Sequence, residues 1–182
     1  GHVDGDGLFH LARVRKLVEF DGLSLDALNE FADGGLHPGY AFPLWHGALA
    51  AVARLAGMDA ADTVIRMGPV LTPLFALVAY GAGAVLFRSW AGGVAAAAGA
   101  TGIAVLTGDG LGALEVLSDP EGAGRHLLVP ALLALVFWYV RGGGTSALAG
   151  IAAAAFALAV VHPNYAPYAA LVLGGCLLAR LA

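Results

Sequence analysis

Three carboxylates stand out as side chains able to take a proton or hold a cation. Asp6 precedes a segment with helical apolar spacing, and Asp119 and Glu121 flank Pro120 in a second acidic segment. Carboxylates brought together from two loops can act as a general base or bind a divalent cation. On residue type alone a structural use is the more common one, because Asp is a preferred helix N-cap and Pro is common at the first helical position.

The distribution of the other acids indicates what surrounds these carboxylates. All 13 Asp and Glu residues fall within residues 4–33, 59–62 and 109–121, separated by long segments of Ala, Leu, Val and Gly. A water-soluble domain carries charge on every element, because each element has a solvated face. Acids confined to the stretches between uncharged segments are typical of a membrane protein, whose uncharged segments lie in the bilayer and whose charged segments lie in water.

Composition leads to the same class. The chain is 59% hydrophobic and 12% charged, with a mean hydropathy of +0.81, whereas soluble domains are about 25% charged. We therefore expect an integral membrane protein of all-α class. We also expect it to bind no nucleic acid, since its nine Lys and Arg residues form no basic stripe. The single cysteine, Cys176, excludes a disulfide framework. The absence of an initiator Met and an end within an apolar stretch predict a fragment of a longer polytopic protein.

Five apolar segments approach the length of about 20 residues that a spanning helix needs. They are residues 67–87, 90–107, 127–140, 146–161 and 166–182. Residues 1–66 then form an extracytoplasmic loop with interfacial helices, and an acidic loop at 108–126 interrupts the spanning region 67–182. The small residues between 91 and 102 favour close helix–helix packing.

The segment 41–57 is apolar but short, and it contains His46 and Arg54. If it lies in the membrane interface, Arg88, Arg141 and Arg180 fall on one side and every acidic stretch on the other. The positive-inside rule favours this arrangement. This arrangement predicts that the acidic loops are extracytoplasmic. We expect the membrane to be the plasma membrane of a prokaryote.

The segment after Asp6 predicts an amphipathic helix on the membrane surface. Its apolar side comprises Leu8, Leu11, Val14 and Leu17. Its polar side comprises His10, Arg13 and Lys16. Asp6 takes the N-cap position.

Several segments together resemble GT-C glycosyltransferases, most closely the catalytic subunit of oligosaccharyltransferase. Residues 6–19 (DGLFHLARVRKLVE) resemble the first extracytoplasmic loop, and residues 37–43 (HPGYAFP) resemble a Pro/Gly/Tyr-rich stretch that follows it. Residues 69–88 and 90–92 are similar to the next two spans. Residues 118–122 (SDPEG) stand where the family has its second acidic motif.

The resemblance implies a polyprenyl-phosphate-linked sugar donor, a protein, lipid or glycan acceptor, and contact with membrane lipids. Asp6 would be the first-loop catalytic acid, and Asp119 and Glu121 the second-loop acids. In oligosaccharyltransferases such acids contribute to a divalent-metal site, so Mg²⁺ or Mn²⁺ is implied, although many GT-C enzymes need no metal. Arg125 would supply positive charge to the leaving phosphate, or would simply anchor the end of a span.

Weaker candidates for substrate binding are Asp4, His10 and His162; His46 is assigned to the interface. The chain lacks a Trp-Trp-Asp motif, and Leu8 stands where the family commonly has Trp. A monosaccharide transferase therefore fits as well as an oligosaccharyltransferase. The alternatives are a membrane transporter, which would place ionisable residues within its spans, and a non-catalytic membrane scaffold.

Overall fold

A computed structural model describes residues 5–20, 44–107 and 116–181, and regular structure in these ranges is entirely helical. The predicted all-α class is confirmed there. Asp4, the 37–43 motif and residues 108–115 lie outside the described residues. The helices are α1 Asp6–Glu19, α2 Leu44–Ala56, α3 Ala60–Phe87, α4 Trp90–Thr107, α5 Pro120–Val140, α6 Thr145–Val161 and α7 Tyr165–Leu181.

Helices α1 and α2 pack on each other and on the first turns of α3. Their shared core consists of Val14, Leu17, Leu49, Ala50, Ala60 and Val64. Asp59 caps α3, because its side chain accepts a hydrogen bond from Ala61 N at 2.8 Å. The Asp59 carboxylate also faces the Arg15 guanidinium at 3.8 Å. Helix α3 begins at Ala60, seven residues before the span predicted at 67–87. It thus crosses the predicted boundary between the extracytoplasmic loop 1–66 and the spanning region.

Helices α3 and α4 form a tight antiparallel hairpin. Arg88 ends α3 in the left-handed conformation, with φ 54, and only Ser89 separates it from α4. Gly83 lies directly against Ala96 and the carbonyl of Gly92, so any larger side chain would separate the helices. The prediction that small residues of this region pack helices closely is confirmed.

Helix α5 contains one wide turn. Residues Gly124–Leu128 form π-type hydrogen bonds between the short α-helical start Pro120–Ala123 and the longer segment Val129–Val140. The apolar helix therefore begins seven residues before the predicted span at 127. A core of Phe75, Leu117, Ala123, Leu127 and Val161 joins α5 to α3 and α6. Another core, of Leu132, Leu158 and Ala169, joins it to α6 and α7.

The two ends of the bundle differ in charge. Arg141, which follows α5, donates hydrogen bonds to the carbonyl oxygens of Val85 and Leu86, at the end of α3 where Arg88 also lies. Glu121 lies at the opposite end, where α5 begins. The prediction that Arg88 and Arg141 share an end is confirmed.

Length and composition qualify two of the described helices, Ala60–Phe87 and Pro120–Val140, to cross a membrane. Leu44–Ala56, Trp90–Leu106 and Thr145–Val161 are apolar but shorter. Each predicted span overlaps a helix, yet the number of five spans stays a prediction.

The predicted orientation of α1 is wrong. Val14 and Leu17 are buried as expected, but Leu8 is 54% exposed. His10 and Arg13, assigned to the polar side, are 5% and 0% exposed. The reason is tertiary: α1 turns this side towards α2, where His46 is the partner of His10. The N-cap is Gly5, so Asp6 is the first residue within the helix.

Candidate functional site at the start of α5

The second acidic motif forms a compact turn and helix start. Asp119 is the N-cap of α5 and Pro120 its first residue, as the sequence predicts. The Asp119 side chain makes no capping hydrogen bond, although its backbone carbonyl accepts from Ala123 N at 2.9 Å. Gly122 is required here, because a Cβ atom would collide with the backbone carbonyl of Val116. The backbone of the turn, and not a capping hydrogen bond of the side chain, therefore positions Asp119. The residue is half-buried.

Glu121 is exposed and is held by a residue from α7. The Tyr165 hydroxyl donates a hydrogen bond to Glu121 Oε1 at 3.2 Å. Burial and then the Glu121 carboxylate raise the pKa of Tyr165, which precedes the predicted span 166–182. The hydroxyl consequently keeps its proton at neutral pH and stays a donor.

His162 and Tyr165 together fix the approach of α7 to α5. Their ring centroids are 4.7 Å apart. A Cβ atom at Gly124 would lie 3.1 Å from Tyr165 Cδ2 and 3.3 Å from His162 Cβ, so both residues rest on the backbone of α5. His162, 9% exposed, thus lies beside the Glu121 segment. Arg125 is exposed one turn after Glu121 and adds a positive charge to this surface.

Helix α2 connects this site to α1 through two adjacent residues. Trp45 Nε1 donates to the Ser118 carbonyl oxygen at 2.6 Å, immediately before Asp119. His46 Nε2 and His10 Nδ1 lie 2.9 Å apart in a buried hydrogen bond. Asp6 precedes His10 by about one helical turn. The beginning of α1 and the beginning of α5 are thus tied to the same end of α2.

The junction between α1 and α2 is buried and positively biased. His46 is 1% exposed, and the Arg13 guanidinium lies over the Phe9 ring, 5.4 Å from its centroid. Burial, followed by the charges of His10 and Arg13, lowers the pKa of His46 to about 3. A neutral imidazole pair shares one proton between its two facing nitrogens, with one donor and one acceptor.

Sequence reasoning selected part of this site. Asp119, Glu121 and Arg125 lie within the first two turns of α5, and His162 packs beside them against Gly124. His10 is buried at the α1–α2 junction, and Asp6 is located by its backbone as the first residue of α1. Trp45 was missed, His46 was assigned only to the interface, and Tyr165 belongs to the segment 162–165 that the sequence places at the acidic side without a role for its hydroxyl. The one available signal for Tyr165 was its position two residues after Pro163, where a helix is expected to begin.

No protein-family model, curated protein or solved structure matches this chain. Within the described ranges, no three His, Cys, Asp or Glu side chains lie close enough together to hold a metal ion. The start of α5 and its neighbours offer two acids, one cation and one hydroxyl donor. These groups can accept a proton, compensate an anion and orient a polar substrate.

Proposed function

We propose that this chain is the membrane region of a glycosyltransferase that moves a sugar or oligosaccharide from a polyprenyl-phosphate-linked donor to an extracytoplasmic acceptor. One observation carries the proposal: adjacent residues of α2 contact both acidic segments. Trp45 binds the carbonyl of Ser118, next to Asp119, and His46 binds His10, one turn after Asp6. This arrangement supports a single site that uses carboxylates from two distant loops, as the resemblance to GT-C enzymes implies.

The proposal includes a polytopic bundle of five spans, α3 to α7, in the plasma membrane of a prokaryote. The acidic end would be extracytoplasmic, with α1 and α2 in the membrane interface. Its support is the charge difference between the ends, with Arg88 and Arg141 opposite Glu121, which the positive-inside rule would orient in this way. The two helices that meet the spanning criteria, α3 and α5, form the centre of that bundle.

The proposed reaction is a displacement at the anomeric carbon of the donor sugar. A hydroxyl or amide of a protein, lipid or glycan acceptor is a poor nucleophile, so Asp119 or Asp6 takes its proton as the new bond to the anomeric carbon forms. The bond from that carbon to the phosphate oxygen breaks, and the polyprenyl phosphate leaves with the electron pair. Arg125 compensates the charge that develops on this phosphate, and His162 and His10 line or support the site.

A divalent cation, Mg²⁺ or Mn²⁺, would fit only part of this site. Asp119 and Glu121 offer oxygen ligands of the required kind, with Asp6 as the third in the resemblance. Glu121 already accepts the Tyr165 hydroxyl through Oε1 and retains Oε2 as a second oxygen. When bound, the cation would neutralise phosphate charge, a role that Arg125 also supplies.

The test is sugar transfer by the full-length protein in lipid nanodiscs. The donors are a radiolabelled polyprenyl-phosphate monosaccharide and, in parallel, a polyprenyl-diphosphate oligosaccharide, with acceptors from native membranes. Asp119→Asn and Glu121→Gln should each lower the transfer rate about 100-fold or more, the usual loss for a removed general base or ligand. Asp62→Asn, at an exposed acid in the first turn of α3, is the matched control and should retain the wild-type rate.

Two results would overturn the proposal. If both Asp119→Asn and Glu121→Gln transfer sugar at the wild-type rate, the remaining explanation is a non-catalytic membrane scaffold. In that case these acids only stabilise the starts of helices. Solute uptake by proteoliposomes, without sugar transfer from either donor, would identify a transporter.

A further inference from the structure

We infer that Tyr165 is a positioning residue for Glu121, which it orients towards the reacting sugar. The inference rests on the proposed function and extends it to a residue that no motif assigned. Its basis is the contact between the Tyr165 hydroxyl and Glu121 Oε1, at 3.2 Å, across two helices that are far apart in sequence.

Glu121 needs such a partner more than Asp119 does. It is exposed in the first turn of α5, and a Glu side chain there has three rotatable bonds and many accessible rotamers. A group that must meet a substrate within a few tenths of an ångström gains rate when its geometry is fixed in advance. The Tyr165 hydroxyl reduces that freedom by holding one carboxylate oxygen and leaving Oε2 for substrate or cation.

Tyr165 can do this because its own ring is fixed. The ring lies against the His162 ring on one side, with centroids 4.7 Å apart, and near the Gly124 backbone on the other. A tyrosine has two side-chain torsions, so these contacts determine the position of its hydroxyl. His162 therefore acts through Tyr165, as a support for the ring.

The experiment compares Tyr165→Phe with Tyr168→Phe in the full-length protein in nanodiscs. Tyr168 lies one turn further along α7 and is 65% exposed, so its variant removes the same atom from the same helix. Tyr165→Phe should lower kcat about tenfold, as expected for one hydrogen bond to a charged group, with KM changed less than twofold. Tyr168→Phe should leave both unchanged.

Glu121→Gln, measured beside them, separates the two proposals. If Glu121→Gln is inactive while Tyr165→Phe matches Tyr168→Phe in kcat and KM, the positioning role is overturned and the proposed function stands. If Glu121→Gln transfers sugar at the wild-type rate, both the role of Glu121 and its positioning by Tyr165 fail. A Tyr165→Phe loss that appears in KM and not in kcat would also overturn the inference, because it would reflect packing alone.

Discussion

Helices α3 and α5 both begin at an aspartate with nearly the same backbone, yet the two carboxylates are used differently. Asp59 has φ −63 and ψ 149, and Asp119 has φ −87 and ψ 150. The Asp59 side chain accepts from Ala61 N and faces Arg15. The Asp119 side chain makes no capping bond, although Glu121 and Gly122 at the second and third helical positions both have N–H groups.

The comparison shows that an acid at a helix start identifies a functional residue only through what its carboxylate contacts. At α3 the carboxylate stabilises the helix start and its contact with α1. At α5 a tight backbone turn builds the helix start, and neighbouring helices approach it through Trp45 and Tyr165. The start of α5 is therefore held in place without consuming the Asp119 side chain as a cap.

The largest effect on stability is expected where α5 depends on its backbone turn. Gly122→Ala introduces a Cβ atom into the Val116 carbonyl, and because backbone cannot rotate away we expect a loss of about 2–3 kcal/mol in the free energy of unfolding. Gly99→Ala, at an α4 glycine with open space around it, is the control and should be neutral or slightly stabilising. Denaturant unfolding in detergent measures both. Equal stabilities would show that the turn does not determine the start of α5.

Acid should destabilise the region that α1, α2 and the start of α3 form together, because His46 is buried between α1 and α2. The folded-state pKa of His46 is about 3, below its ordinary value of 6.5, so the unfolded state binds more protons between these values. Stability is then fully present above pH 6.5 and falls as pH decreases towards 3, by at most about 1.4 kcal/mol per pH unit. Thermal unfolding from pH 8 to pH 5 measures this slope. His46→Gln keeps a polar partner for His10 and should flatten the curve; an unchanged slope would assign the acid sensitivity to other groups.

The smallest effect compares the two aspartates directly. Asp59→Ala removes a capping hydrogen bond and should lower the unfolding free energy by about 1 kcal/mol. Asp119→Ala removes no capping bond, so the loss that a cap contributes should be absent from it. Measured melting curves of the two variants test this directly. A larger loss for Asp119→Ala would mean that its carboxylate is structural after all.

Local rules were sufficient for the helices. Apolar length predicted where α3 to α7 lie, Asp-Pro predicted the start of α5, and small residues predicted the tight contact of Gly83 with Ala96. Each of these properties depends on a few neighbouring residues, so it can be read without knowing the tertiary structure.

The remaining features depend on partners that periodicity does not identify. Arg13 is buried because α2 covers that side of α1, and an isolated helix would have turned it to water. Likewise, 73 residues separate Trp45 from Ser118, and 44 separate Tyr165 from Glu121. The first seven residues of α3 and of α5 lie outside the predicted spans because they include polar residues. A helix can contain such residues, so both helices begin earlier than the apolar segments do.

Because α5 contains a π-type turn, the number of residues between 124 and 128 matters as much as their identity. A π-type turn contains one residue more than an α-helical turn needs. Deletion of a single codon within residues 124–128 would let the helix close into regular form, rotating Asp119 and Glu121 by about 100° relative to Leu132. Hydropathy would be almost unchanged, yet Ser118 would no longer meet Trp45, and Glu121 would no longer meet Tyr165. Among descendants of this gene, substitutions here should therefore be tolerated far more often than losses of one residue.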